Sequence, residues 1–203
     1  PAQLTLNGGS LQTSATFTLN ANRGITLGAS GGSVSPNTGT TLTYNGTIAG
    51  TGGLTKINSG TLVLGGANTY TGATTINAGT LRLGAAGVIA DTSAVTLANV
   101  AGAVFDLNNN SETVGTLSGG GATGGNITLG SGTLTVTQGS NQTYAGTISG
   151  TGALTKAGSS TLTLSGANSY TGTTTINAGT LQLGTAGVIA DTSAVTLANV
   201  AGA

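Results

Sequence analysis

The feature that most constrains this chain is that it repeats itself. Residues 43–103 and 143–203 align without a gap at an offset of 100 residues, and 49 of those 61 positions are identical. Thr51-Gly-Gly-Leu-Thr-Lys56 returns as Thr151-Gly-Ala-Leu-Thr-Lys156, and the run Ala86 to Ala103 recurs unchanged at 186–203. Upstream, Ile25-Thr-Leu-Gly28 matches Ile127-Thr-Leu-Gly130 at a slightly different offset. The chain therefore divides into divergent upstream coils (1–42), a first unit (43–103), linking coils (104–142) and a second unit (143–203). All four are expected in one continuous structure. The pattern stops in mid-module at Ala203, as expected of a fragment. Repetition of this kind implies units that bury their apolar faces against their neighbours.

Within a module a shorter period appears. Thr61-Leu-Val-Leu64, Thr80-Leu-Arg-Leu83, Ala94-Val-Thr-Leu97 and Thr133-Leu-Thr-Val136 alternate apolar and polar residues. That is the period of a half-buried strand. Gly-Gly, Asn-Gly and Asn-Ala-Gly lie between them and tolerate the positive φ of turns. The expected fold is all-β: a right-handed parallel β-helix, or β-solenoid, of coils about 20 residues long. Five such coils would make up a module and advance the axis by about 24 Å. The inward columns would hold Leu54, Leu62, Leu64, Ile76, Leu81, Leu83, Val95 and Leu97. The second unit repeats them as Leu154, Leu162, Leu164, Ile176, Leu181, Leu183, Val195 and Leu197. Asn68, Asn77, Asn168 and Asn177 are expected at corners, where side-chain amides can form ladders, and Asp91 and Asp191 in turns. A β-sandwich array competes, but it fills its core with aromatic residues, and Phe17 and Phe105 are too few.

Composition narrows function. The chain has no His, Cys, Met or Trp, so it offers no thiolate or imidazole for a metal and no nucleophile–His pair. Four basic and four acidic residues cancel, which removes the electrostatic footprint for nucleic acid or anionic lipid. No apolar stretch approaches the roughly 20 residues of a membrane span, so no membrane insertion by this segment is expected. No cofactor is expected either.

The ordered run Thr51-Gly-Gly-Leu-Thr-Lys56, Ser59-Gly-Thr-Leu-Val-Leu64, Gly66-Ala-Asn-Thr-Tyr-Thr-Gly72 and Thr74-Thr-Ile-Asn-Ala-Gly-Thr-Leu81 closely resembles the autotransporter-associated β-strand repeat. Thr151 to Leu181 resembles it equally well. The resemblance implies a β-helix exported across the outer membrane of a bacterium. It also implies an extracellular role as an adhesin stalk or surface fibre, and it brings no catalytic residues with it. Partners would be further copies of the repeat, within the chain and head to tail between chains, together with a surface glycan or host cell.

Few residues could carry chemistry. A polysaccharide-degrading β-helix needs paired carboxyl groups, and Asp106 and Glu112 are the nearest pair. They flank Asn108-Asn-Asn-Ser111, which reads as a solvated loop, so no enzyme is expected. Lys56 and Lys156 read as outward residues that discourage lateral sheet pairing. Tyr44, Tyr70, Tyr144 and Tyr170 recur in two pairs, which favours corner packing. The competing reading makes Tyr70 and Tyr170 surface contacts that stack on sugars. Thr-x-Thr pairs suggest an ice-binding array, but Thr61 is followed by Val63 and Thr80 by Arg82, which breaks it.

Overall fold

A computed structural model describes residues 3–184, 189–190 and 192–198. Among the described residues every regular element is a strand, and every pair of neighbouring strands is parallel. The chain winds as a three-faced prism of about nine turns. The first coil contributes β1 (Leu4–Leu6), β2 (Ser10–Thr13) and β3 (Phe17–Leu19), one strand per face. The second contributes β4 (Ile25–Leu27), β5 (Gly32–Pro36) and β6 (Thr41–Tyr44), and the third β7 (Ile48–Gly50), β8 (Leu54–Lys56) and β9 (Thr61–Leu64). The fourth and fifth coils have strands on the second and third faces only. These are β10 (Thr74–Ile76) with β11 (Thr80–Leu83), then β12 (Val95–Leu97) with β13 (Val104–Asp106). Three strands return in the sixth coil, with β14 (Glu112–Val114), β15 (Leu117–Gly119) and β16 (Asn126–Thr128). The seventh has β17 (Thr133–Val136), β18 (Gln142–Tyr144) and β19 (Ile148–Ser149). The remaining strands are β20 (Ala153–Lys156), β21 (Thr161–Leu164), β22 (Thr174–Ile176), β23 (Thr180–Leu183) and β24 (Val195–Leu197).

Coil length varies more than the sequence suggests. One turn takes 19 residues from Thr61 to Thr80 but 25 from Gly119 to Tyr144. Turns inserted at the corners absorb the difference, because only the strands must keep register. Face two is the most continuous, a nine-stranded sheet running from β2 to β23. Following its register from Leu54 through Thr74, Val95, Leu117 and Gln142 leads, five turns on, to Leu162. Leu154 lies one face earlier, in the strand before. The 100-residue module therefore spans four and two-thirds turns rather than five. Its axial rise is about 22 Å at the usual strand spacing.

The alternation read from sequence sets the core. In β9, Leu62 and Leu64 point inward while Thr61 and Val63 stay half-buried outside. Leu54, Leu62, Leu64, Ile76, Leu81, Leu83, Val95 and Leu97 are all at most 1% exposed, as are Leu154, Leu162 and Leu164. Parallel register stacks like on like, for example Leu42, Leu62, Leu81 and Phe105 on face three. Each such side chain contributes roughly 1.5–3 kcal/mol by burial. The later members of the series differ. Ile176 and Leu181 are only partly buried, and Leu183, Val195 and Leu197 are 51%, 55% and 65% exposed. No further described strand stacks over Leu181, Leu183, Val195 or Leu197, so one side of each of those columns is open, and Ile176 is covered only by β24, the last described strand. Val95, at the module position of Val195, is fully buried because β15 covers it.

Candidate functional site

Three recurring side-chain sets occupy the interior and corners of the prism. The lysines do not lie where sequence reasoning placed them.

Lys56 and Lys156 are in the core. Each is the last residue of its strand and points inward, Lys56 stacked between Val34 and Ile76, Lys156 between Val136 and Ile176. Both are fully buried. The aliphatic stem continues the apolar column, and the ammonium reaches a corner where the main chain turns its carbonyls inward. Nζ of Lys56 donates to the carbonyl oxygens of Ile57 (2.9 Å), Asn58 (2.6 Å) and Ala78 (3.0 Å). Nζ of Lys156 repeats this with Ala157 (2.7 Å), Gly158 (2.8 Å) and Ala178 (3.2 Å). An ammonium has three protons and here finds three acceptors. Gly79 closes the cage with φ +66°, and a Cβ at that position would come 2.6 Å from the Lys56 ammonium nitrogen. Burial pulls the Lys56 ammonium down to a pKa of about 8, and that of Lys156 in the same direction. The outward reading of these lysines is overturned: three otherwise unpaired carbonyls make the inside corner the better place for a cation.

The tyrosines are interior as well. Tyr70 and Tyr170 are fully buried, and their hydroxyls lie 2.6 and 2.7 Å from the side-chain oxygens of Thr74 and Thr174. Tyr44 donates to the Arg23 carbonyl at 2.8 Å and Tyr144 to that of Gly125 at 2.6 Å. Desolvation pushes the Tyr70 phenol up to about 12. Tyr70 and Tyr170 as sugar-stacking surface contacts are thereby corrected. Each ring fills the space beneath a corner and presents nothing to solvent.

The asparagines divide by position. Asn77 and Asn177 are exposed, just after β10 and β22. Asn68 and Asn168 are 6% exposed and act as bridges rather than as a stacked ladder. Between β7 and β14, face one lacks strands in two coils, and side chains there add to a few main-chain bonds, such as Thr69 N–H to the Ile48 carbonyl (2.8 Å) and Asn68 N–H to that of Val88 (3.0 Å). Asn68 Oδ1 accepts from the Ile48 amide (2.8 Å) on one side, while its Nδ2 donates to the Val88 carbonyl (3.0 Å) on the other. Asn168 accepts from the Ile148 amide at 2.8 Å in the same manner. Val88 and Ile89 are buried there.

Glu112 completes this seam. It occupies an inward column continued by Leu134 and Leu154, and it is 2% exposed. Its Oε2 accepts from the Val88 amide (2.9 Å) and its Oε1 from the Ile89 amide (3.3 Å). Desolvation raises its pKa to about 7; the amide bonds draw it back, and the charge of Asp91 adds to the rise. The solvated-loop reading of Glu112 is overturned, because two amides left without a strand above them need an acceptor. Asp106 is on face three, one register step from Arg82, with Arg82 Nε 2.7 Å from Oδ2. It also accepts from the Asn108 amide at 2.8 Å. The two carboxylates thus sit on different faces, each occupied by its own partners. Asp91 is exposed in a turn, and Asp191 lies outside the described residues. Among the described residues no three His, Cys, Asp or Glu side chains gather where a metal could bind, and no helix is long and apolar enough to cross a membrane.

The outside is plain and polar. On face two the outward column reads Ser10, Ser33, Thr55, Thr75, Thr96, Ser118, Thr143 and Thr163 before Gln182. Shallow grooves beside it are floored by Gly53 and Ala73. The breaks at Val63 and Arg82 fall on face three, where Arg82 and Asp106 interrupt the corresponding column. Face two therefore carries an unbroken file of hydroxyls, one residue wide and without charge.

Taken with the sheets, these sets define a three-faced parallel β-solenoid whose corner chemistry recurs with each module: a caged lysine, two buried tyrosines and a bridging asparagine. Residues 54–83 and 154–183 each match the family model of the passenger-associated-transport-repeat. The adhesin BmaC autotransporter of Brucella suis biovar 1 (strain 1330) is 42% identical over 152 residues, 73% of this chain and 4% of that protein. The chain thus spans a small part of the length of this relative. No solved structure matches it.

Proposed function

We propose that this segment is a rigid rod section of a bacterial adhesin, exported across the outer membrane and standing at the cell surface. The observation that carries the reading is the unbroken coil-on-coil ladder of face two, nine strands long, made from a repeat typical of exported passengers. Each coil hydrogen-bonds to the next in parallel register, so length accrues at about 4.8 Å per turn without a hinge between modules. The partners of the segment are then other copies of the repeat in the same chain, and contact with a glycan or host cell falls to other parts of the adhesin. The buried tyrosines support this division, since the aromatic contacts once available for sugar stacking are internal. The segment itself performs no catalysis in this reading: Asp106 is paired with Arg82 and Glu112 is committed to two amides.

The test is to delete one 100-residue module, 43–142, from the parent adhesin and measure display, adhesion and projected length. A rod section predicts intact display and adhesion with a stalk about 22 Å shorter. Loss of adhesion with display intact would move the binding function into this segment.

A further inference from the structure

The two copies of the repeat do not occupy the same faces. The first places β8, β9, β10 and β11 on faces two, three, two and three; the second places β20, β21, β22 and β23 on faces one, two, one and two. The corner chemistry follows the sequence rather than the face. Lys56 and Lys156 make the same three bonds, Tyr70 and Tyr170 the same contact with threonine, and Asn68 and Asn168 the same bond to a strand amide. Ser93 and Ser193 likewise donate to the carbonyls of Gly72 and Gly172. Nothing in the motif selects a face, so its direction is decided by how many strand positions the 100 residues consume. That number is fourteen, one short of five full turns.

From this we infer that modules of this repeat are laid on a threefold screw. Each module presents the outward surface of its motif a third of a turn from the previous one, and three modules bring it back into phase after fourteen turns, about 67 Å. The long coils are the timing element. The 25-residue turn from Gly119 to Tyr144 and the 24-residue turn from Thr80 to Val104 set how many residues pass without a gain of strand positions. A partner that reads the outward surface around Thr55 and Thr75 on one module finds the matching surface, Thr155 and Thr175, facing another way.

The test uses the 203-residue chain, which has no native cysteine. A T75C/T175C variant is labelled with biotin and decorated with monovalent streptavidin, and the angle between the two densities about the rod axis is measured by electron microscopy. A T75C/T163C variant gives the reference geometry, since both positions lie in the outward column of face two, four turns or about 19 Å apart. The expected result is two densities on different sides of the rod for T75C/T175C. For T75C/T163C the expectation is a single side, with one label excluding the other. A T55C/T155C pair repeats the measurement at independent sites. Densities on the same side for T75C/T175C or T55C/T155C would overturn the screw.

Discussion

At the residue scale the decisive side chains are the charged ones that the fold takes inside. Lys56 gives three protons to three carbonyls that have no other acceptor role in the sheet. Lys56→Ala should destabilise the chain by about 3 kcal/mol in urea unfolding, through the opened cavity and the stranded carbonyls. Lys56→Met should recover the packing part and lose roughly 1–2 kcal/mol. Glu112 gives a pH dependence whose direction follows from its raised pKa. Below pH 4.5 the carboxyl is protonated in both folded and unfolded chains. Between 4.5 and about 7 the unfolded chain releases the proton while the folded one holds it, so stability falls as pH rises, by up to about 3 kcal/mol. Glu112→Gln should flatten that limb of the stability profile. Lys56, depressed to about 8, works in the other window: the folded chain loses its proton first, so stability rises between about pH 8 and 10.5. Glu112 was not legible from its neighbours in sequence. Lys56 ends an alternating strand at an inward position, and the alternation in Leu54-Thr-Lys56 is the signal for it. That signal is weak, because a lone lysine is seldom buried without a carboxylate.

At the scale of elements, strands were easy to read and their stacking was not. Period-two alternation located β9, β11, β12 and β17, because inward Leu or Val residues separated by single outward residues fit both faces of a pleated strand. The segments at 68–71 and 88–89 lack that alternation and form no strand, yet they complete face one through scattered main-chain bonds and the side chains of Asn68 and Glu112. A side chain that supplements a broken ladder leaves no periodic trace. Asn68→Ala should leave the Ile48 amide without an acceptor and cost about 2 kcal/mol. Asn168→Ala, on another face, should cost the same within about 0.5 kcal/mol if the corners are equivalent. Paired chemical denaturation curves decide this. Leu81→Pro removes a ladder amide in the middle of face three and a fully buried side chain. It should destabilise by more than about 3 kcal/mol and halt surface display in an export assay if coil-by-coil folding outside the cell draws the chain outward.

For the molecule as a whole, the length of the repeat was legible in the sequence while the number of turns inside it was not. Identity at an offset of 100 is a property of the string, but the turn count depends on corners that vary from 19- to 25-residue coils. A mean of 20 residues rounds to five turns; the long linking coils remove a third of one. The seam on face one, where Asn68, Glu112 and a few main-chain bonds join coils that lack strands, interrupts the sheet of that face. The corresponding Asn168 bridge falls on face three. Compliance is therefore distributed around the axis instead of accumulating along one edge. A long rod made this way has no preferred plane of bending, and under sideways load from any direction it flexes equally and stays straight on average.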